Sequence, residues 1–212
     1  MSADRRQEAT GATLTDLVAR ARRTVLISLS GRSGQLAAVR TVLGDLETRT
    51  RTGPGRITVR VLGSASALRE LSAGSGAAEL AELRVTGRPL AESLVRDVAE
   101  ALVHAPGDST GGLLVRDRAA VRVLASLFMG AWDASLPWRD HLLLDAYLTT
   151  DTAREVLARL YAGSTDAVAA RELGLSLRTY RRHVARILES LGVGSRFSGG
   201  TRAAEMQMFD VL

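Results

Sequence analysis

The stretch LGLSLRTYRRHVARILESLG, Leu173 to Gly192, carries two unlike faces at one helical period. Tyr180, Val184, Ile187 and Leu191 recur at i, i+4, i+7 and i+11, the spacing of a stripe buried along a helix. On the other side stand Arg178, Arg181, Arg182 and Arg186, with Ala185 among them. The hydroxyl of Ser176 is placed to cap the start of this helix, and Gly192 can take the left-handed conformation that ends one. Just upstream, Ser164-Thr165 precede a second short apolar segment, Val168-Ala169-Ala170 with Leu173, and Gly174 separates it from the Ser176 cap. Two short helices joined by a tight glycine-containing turn, the second basic on its outer face, predict a DNA-binding helix-turn-helix.

From Thr150 to about Met208 the chain resembles the LuxR/FixJ-type four-helix domain of bacterial transcription regulators. The resemblance rests on Glu155-Val156-Leu157, Gly163, Ala170, Leu173-Gly174-Leu175-Ser176, Thr179, His183, Ile187, Leu191-Gly192-Val193 and Arg196. Val168 stands where that family usually has Glu, Ala153 where an acidic residue is common, and Tyr180 where a smaller Val is usual. The resemblance implies that Arg181, Arg182 and Ala185 read bases. It also implies a dimer contact through the fourth helix, which the Gly199-Gly200 pair weakens at its start.

The chemistry of these side chains fits such roles. An Arg fork can bond guanine O6 and N7 together, whereas an Ala methyl can only pack on a thymine methyl. Arg178, Arg186 and the caps Thr165, Ser176 and Thr179 are better placed for phosphates, which fix register without carrying sequence information. One such domain touches too few base pairs for useful affinity, so a homodimer on an inverted or direct repeat of double-stranded DNA is expected. His183 lies between the two faces and is assigned a structural hydrogen bond; Tyr180 is assigned to the core.

Composition narrows the function classes. The chain has no Cys, which removes disulfides, thiol catalysis and cysteine-ligated zinc, and its three scattered His make a metal site an unsuitable reading. No cofactor is expected. No apolar run approaches the roughly 20 residues that span a bilayer, and Met1 to Thr10 is polar and charged rather than signal-like, so a cytoplasmic protein with no membrane partner is expected. The net charge of +5 suits a polyanionic partner. Because the chain contains neither Lys nor Asn, as a GC-rich bacterial genome would produce, the arrangement of the arginines says more than their number.

Residues 1–11 read as a tail and 12–137 as an α/β domain with a short, mostly parallel sheet and flanking helices. Thr24 to Leu29 is a buried strand, Ser30-Gly31-Arg32-Ser33-Gly34 a connecting turn into a helix, and Thr50 to Gly55 a Gly-Pro turn. Arg56 to Leu62 alternates as a strand and Ala65 to Leu71 makes a short helix, so the order β-α-β-α predicts parallel strands. Ser93-Leu94-Val95, Glu100 to Val103 and Gly112 to Val115 are further short strands, and Asp117 to Asp133 is a long helix burying Val121, Leu124, Ala125, Phe128 and Trp132. Residues 138–148 read as a linker or short connecting helix, and 149–212 as the all-α helix-turn-helix domain.

A phosphoacceptor receiver is disfavoured for the first domain, since Leu26 to Gly31 holds no acid and the chain has no Lys. A lactone pocket built from aromatics is unsuited to a chain with 4% aromatic residues. The strand order and the helix ending at Trp132 look like the phospholipase D-like effector half of TrmB-like regulators. Without Lys the His-x-Lys phosphodiesterase motif of that fold cannot be present, so a non-catalytic domain is expected. His104, Asp97 and Asp117 remain as acid-base candidates beside a plain structural reading. The expectation is a DNA-binding transcriptional regulator whose first domain senses a small-molecule or protein effector or holds the dimer. The rival readings are a module that binds RNA polymerase or a partner regulator, and a phospholipase D-like phosphodiesterase.

Overall fold

The computed structural model describes residues 14–30, 33–52, 57–73, 80–87, 91–104, 112–195 and 199. The expected tail at 1–11, and most of the expected fourth helix beyond Ser195, lie outside them. The chain divides into two compact units, Met1–Ser135 and Leu136–Leu212.

In the first unit, α1 (Leu14–Ala19) leads into β1 (Thr24–Leu29), α2 (Ser33–Thr52), β2 (Thr58–Gly63), α3 (Ala65–Ser72) and β3 (Glu82–Val85). Then follow β4 (Ser93–Arg96), β5 (Glu100–Val103), β6 (Leu113–Val115) and α4 (Arg118–Asp133). The strands lie in the order β6-β5-β4-β1-β2-β3. β1, β2 and β3 run parallel, with Val25 opposite Val59 and Val61 opposite Leu83. β4, β5 and β6 pair antiparallel with their neighbours, so the sheet is mixed rather than mostly parallel. The reason is connection length. Parallel neighbours need a crossover of a dozen or more residues, which α2 and α3 supply, whereas only Asp97, Val98 and Ala99 separate β4 from β5. The expected turn at Thr50–Gly55 is also corrected in part: α2 continues to Thr52.

Alternation along the strands divides the core into two layers. Leu26, Leu62, Val95 and Ala101 pack against Val121, Ala125, Phe128 and Trp132 of α4. The alternate residues Val25, Ile27, Leu29, Val59 and Val61 are equally buried, and α1, α2 and α3, in contact in series, bring Leu17, Leu36, Val39, Leu43, Leu68 and Leu71. Arg60 and Arg84 fall on the α4 side, where their guanidiniums lie 5.3 and 5.1 Å from the centre of the Trp132 ring. There they gain cation–π attraction instead of an unpaired buried charge. Arg84 also donates to the Trp132 carbonyl at 2.9 Å, and Arg60 pairs with Glu82 at 3.0 Å.

Two of the acid-base candidates have structural work. Asp117 caps α4, accepting the Ala120 N–H at 2.8 Å. Asp97 accepts the N–H groups of Arg22, Arg23 and Thr24 at 2.9, 2.8 and 2.9 Å, closing the loop that enters β1. Burial alone would raise its pKa, but the bonds from Thr24, Arg23 and Arg22 and the nearby Arg96 guanidinium outweigh that and hold the carboxyl below its ordinary value. Glu100 is likewise held low against burial by Arg116 and Arg96, each at 3.0 Å, and by Arg20 at 3.4 Å.

Asp97→Ala should lower unfolding stability by about 2–4 kcal/mol, since three backbone donors lose a charged acceptor. In the native protein this contribution is complete above the unfolded carboxyl pKa of about 3.9 and is lost as pH falls through the lower native value. In denaturant titrations the stability difference between the two proteins should therefore shrink as pH falls from neutral to about pH 3; parallel curves would contradict this role.

Candidate nucleic-acid interface

The second unit opens with the two-residue strand β7 (Leu136–Pro137), followed by α5 (Trp138–Tyr147), α6 (Asp151–Tyr161), α7 (Asp166–Glu172) and α8 (Leu177–Ser190). Residues 138–147, within the stretch read as a linker or connecting helix, are thus a helix in their own right, burying Trp138, His141 and Leu144. Its sequence HLLLDAY has no clean amphipathic period, so it gave little local signal.

Each later helix begins at a side-chain cap. Thr150 accepts from Ala153 N at 3.4 Å, Thr165 from Val168 N at 3.4 Å, and Ser176 from Thr179 N at 3.1 Å. Each also ends near a glycine with positive φ: Gly163 at 72°, Gly174 at 64° and Gly192 at 65°. A residue with a Cβ is disfavoured in that region, so Gly174 is what lets α7 turn into α8 within so short a span.

α8 buries Tyr180, Val184 and Ile187, with Leu191 just beyond its end, and it contacts α5, α6 and α7. Those helices supply Leu144, then Ala153, Val156, Leu157 and Leu160, then Ala169 and Ala170. With one side so held, Arg178, Arg181, Arg182, Ala185 and Arg186 are all left exposed. Thr165 and Ser176 are exposed as well, and Thr179 is half-buried with its hydroxyl 2.9 Å from that of Ser176. All the residues named from the sequence therefore lie on α8 or at the N-terminal caps of α7 and α8.

Two of the arginines are not free-standing. Arg181 Nε donates to Asp166 Oδ2 at 3.0 Å, which ties it to the first residue of α7. The Arg186 guanidinium lies 4.5 Å from the centre of the Tyr147 ring. The Tyr147 hydroxyl also hydrogen-bonds His183 Nδ1, so the structural role expected for His183 has a partner on α5. Burial, followed by the Arg182 and Arg186 charges, lowers the His183 pKa and favours the neutral ring. Burial raises the Tyr147 pKa against the opposing Arg186 and Arg182 charges, so the phenol stays protonated. Sequence reading missed Asp166 and Tyr147. Asp166 stands 15 positions from Arg181 and Tyr147 stands 36 from His183, beyond any helical period.

No protein-family model matches the chain. Over 64 residues it is 42% identical to the bialaphos biosynthetic pathway regulatory protein of Streptomyces hygroscopicus, a match covering 30% of this chain. The chain spans about a quarter, 25%, of that relative's length. Among solved structures, TrmBL2, an archaeal chromatin protein described as showing a novel mode of DNA binding, aligns over 57% of this chain and 47% of its own. The TM-score is 0.42 and the identity 16%, an overlap too loose to define a common fold.

The hydroxyl of fully buried Tyr180 has no hydrogen-bond partner among the described residues. Tyr180→Phe should therefore be at least as stable as the parent, by up to about 1 kcal/mol, in chemical denaturation; a loss beyond that would reveal a partner for the hydroxyl. His183 has the opposite pH sign to Asp97 in charge but the same direction in stability. Its lowered native pKa stabilises the fold fully above the unfolded value of about 6.5, and this is lost as pH falls from there through the native pKa. His183→Gln should flatten the stability profile between pH 7 and 5, and an unchanged slope would contradict the assignment.

Proposed function

We propose that the protein is a sequence-specific, DNA-binding transcriptional regulator of a GC-rich bacterium that reads the major groove with α8 as a homodimer. The observation that carries this reading is the division of α8 between a clamped apolar side and an exposed row of Arg178, Arg181, Arg182 and Arg186. The capped α7, the Gly174 turn and α8 match the helix-turn-helix arrangement in which the second helix enters the groove. The partial similarity to a regulatory protein supports the same reading.

In this scheme Arg181, Arg182 and Ala185 face base edges, while Arg178, Arg186 and the caps Thr165, Ser176 and Thr179 hold phosphates. The ring of Tyr147 presets the direction of Arg186. The first unit is a non-catalytic scaffold for effector sensing or dimerisation. The absence of Lys and the structural engagement of Asp97 and Asp117 favour that over phosphodiester hydrolysis. Contact with RNA polymerase is a further role open to a DNA-bound dimer.

The test is a comparison of single variants on selected and scrambled duplexes. Arg181→Ala or Arg182→Ala should cost about 1–3 kcal/mol on the cognate site and relax its sequence preference. Arg186→Ala should weaken all DNA alike and lower the slope of log affinity against log salt. Equal losses on every sequence in all three variants would refute the division into base and phosphate contacts.

A further inference from the structure

Beyond its Asp117 cap, the charges within α4 run against the helix dipole. Arg118 and Arg122 occupy its first two turns, where the helix field is positive, and Asp133 closes its last turn, where the field is negative. All three are exposed, and none has an ion-pair partner among the described residues. Along the same helix, opposite the residues packed on the sheet, runs a stripe without charge: Ala119, Val123, Leu127, Gly130 and Ala134, at i, i+4, i+8, i+11 and i+15. Val123 is 58% exposed and Leu127 63% exposed. A glycine inside a helix destabilises it relative to alanine, yet a Cβ at Gly130 would meet nothing within 4 Å. Nothing described within one chain calls for that glycine.

Helical periodicity puts Arg118, Arg122 and Asp133 on one flank of this stripe, with the arginines towards one end and the aspartate at the other. An antiparallel neighbour related by a two-fold axis brings this flank against its own copy in reverse order. Arginine then meets aspartate at both ends, and the two helix dipoles oppose. A parallel neighbour leaves the charged flanks unmatched and aligns the dipoles.

We propose that this face seats a second copy of the chain, the two α4 helices crossing antiparallel about a two-fold axis near Leu127, with Arg122 of each copy against Asp133 of the other. Such an interface is isologous, the commonest kind in closed homodimers. Leu127 meets its counterpart near the axis. Val123 settles over the Gly130–Ala134 step of the other copy, where the missing side chain allows close approach. This deepens the dimeric reading given above, and rests on that reading only for the effect on DNA.

Sedimentation velocity of the full chain over a concentration series tests the interface, with circular dichroism melts to confirm that each variant is folded. Leu127→Glu should raise the dimer dissociation constant by about 30-fold or more, as expected for a hot-spot residue at the interface centre. Arg122→Asp and Asp133→Arg should each weaken the dimer, and the double variant should recover most of the loss. A wild-type chain that stays monomeric throughout the series would overturn the proposal, as would a dimer indifferent to Leu127→Glu and to both charge reversals. Duplex binding measured in parallel separates the two claims. A monomer that still binds DNA removes this interface and leaves the groove-reading helix standing; a dimer sensitive to these variants that ignores DNA supports the interface and removes the other.

Discussion

The second unit depends on burial of one side of α8. Tyr180, Val184, Ile187 and Leu191 are all buried, and completely burying one large aliphatic or aromatic side chain contributes roughly 1.5–3 kcal/mol. That contribution holds a helix with four arginines on its other side, whose mutual repulsion opposes keeping them together. The helix is thus fixed from behind, while its arginines stay on the exposed side. A face built this way costs little to leave in water and gains most when it meets an ordered row of phosphates.

Partners on neighbouring helices add direction to that face. Asp166 takes the Nε of Arg181, which leaves both terminal nitrogens of the fork for another acceptor. Tyr147 supports Arg186 through its ring and His183 through its hydroxyl. An arginine held by a carboxylate or an aromatic ring loses less rotamer freedom on binding than one moving freely in solvent. The same carboxylate lowers the net positive charge of the surface, trading general attraction to polyanions for placement.

Features set by local spacing were legible in the sequence. The buried stripe of α8, its Ser176 cap, the Gly174 turn and the α4 helix with its Asp117 start follow from periods of three to four residues and from single-residue preferences. Strand direction was legible only in part: the β-α-β order foretold that β1 and β2 run parallel, whereas the antiparallel run of β4, β5 and β6 was not foreseen. Alternation marks a strand without its polarity, and the β4–β5 turn hides its nature: Asp97 and Val98 both have φ of 51°, yet no Gly or Asn announces it. The β-branched Val98 is an unusual occupant of that region, accepted where Asp97 is anchored by three backbone bonds. The contacts from Asp166 and Tyr147 were hidden for a different reason, because they join helices that only the tertiary fold brings together.

The central claim is that the arginine face of α8 distinguishes one duplex sequence from another. Selection of bound duplexes from a randomised pool by the full chain, with the winners titrated against salt, addresses it most directly. The account predicts an enriched repeat containing guanine steps, bound with an affinity that falls steeply as salt rises. A pool that emerges unenriched, or an affinity unmoved by salt, would contradict it.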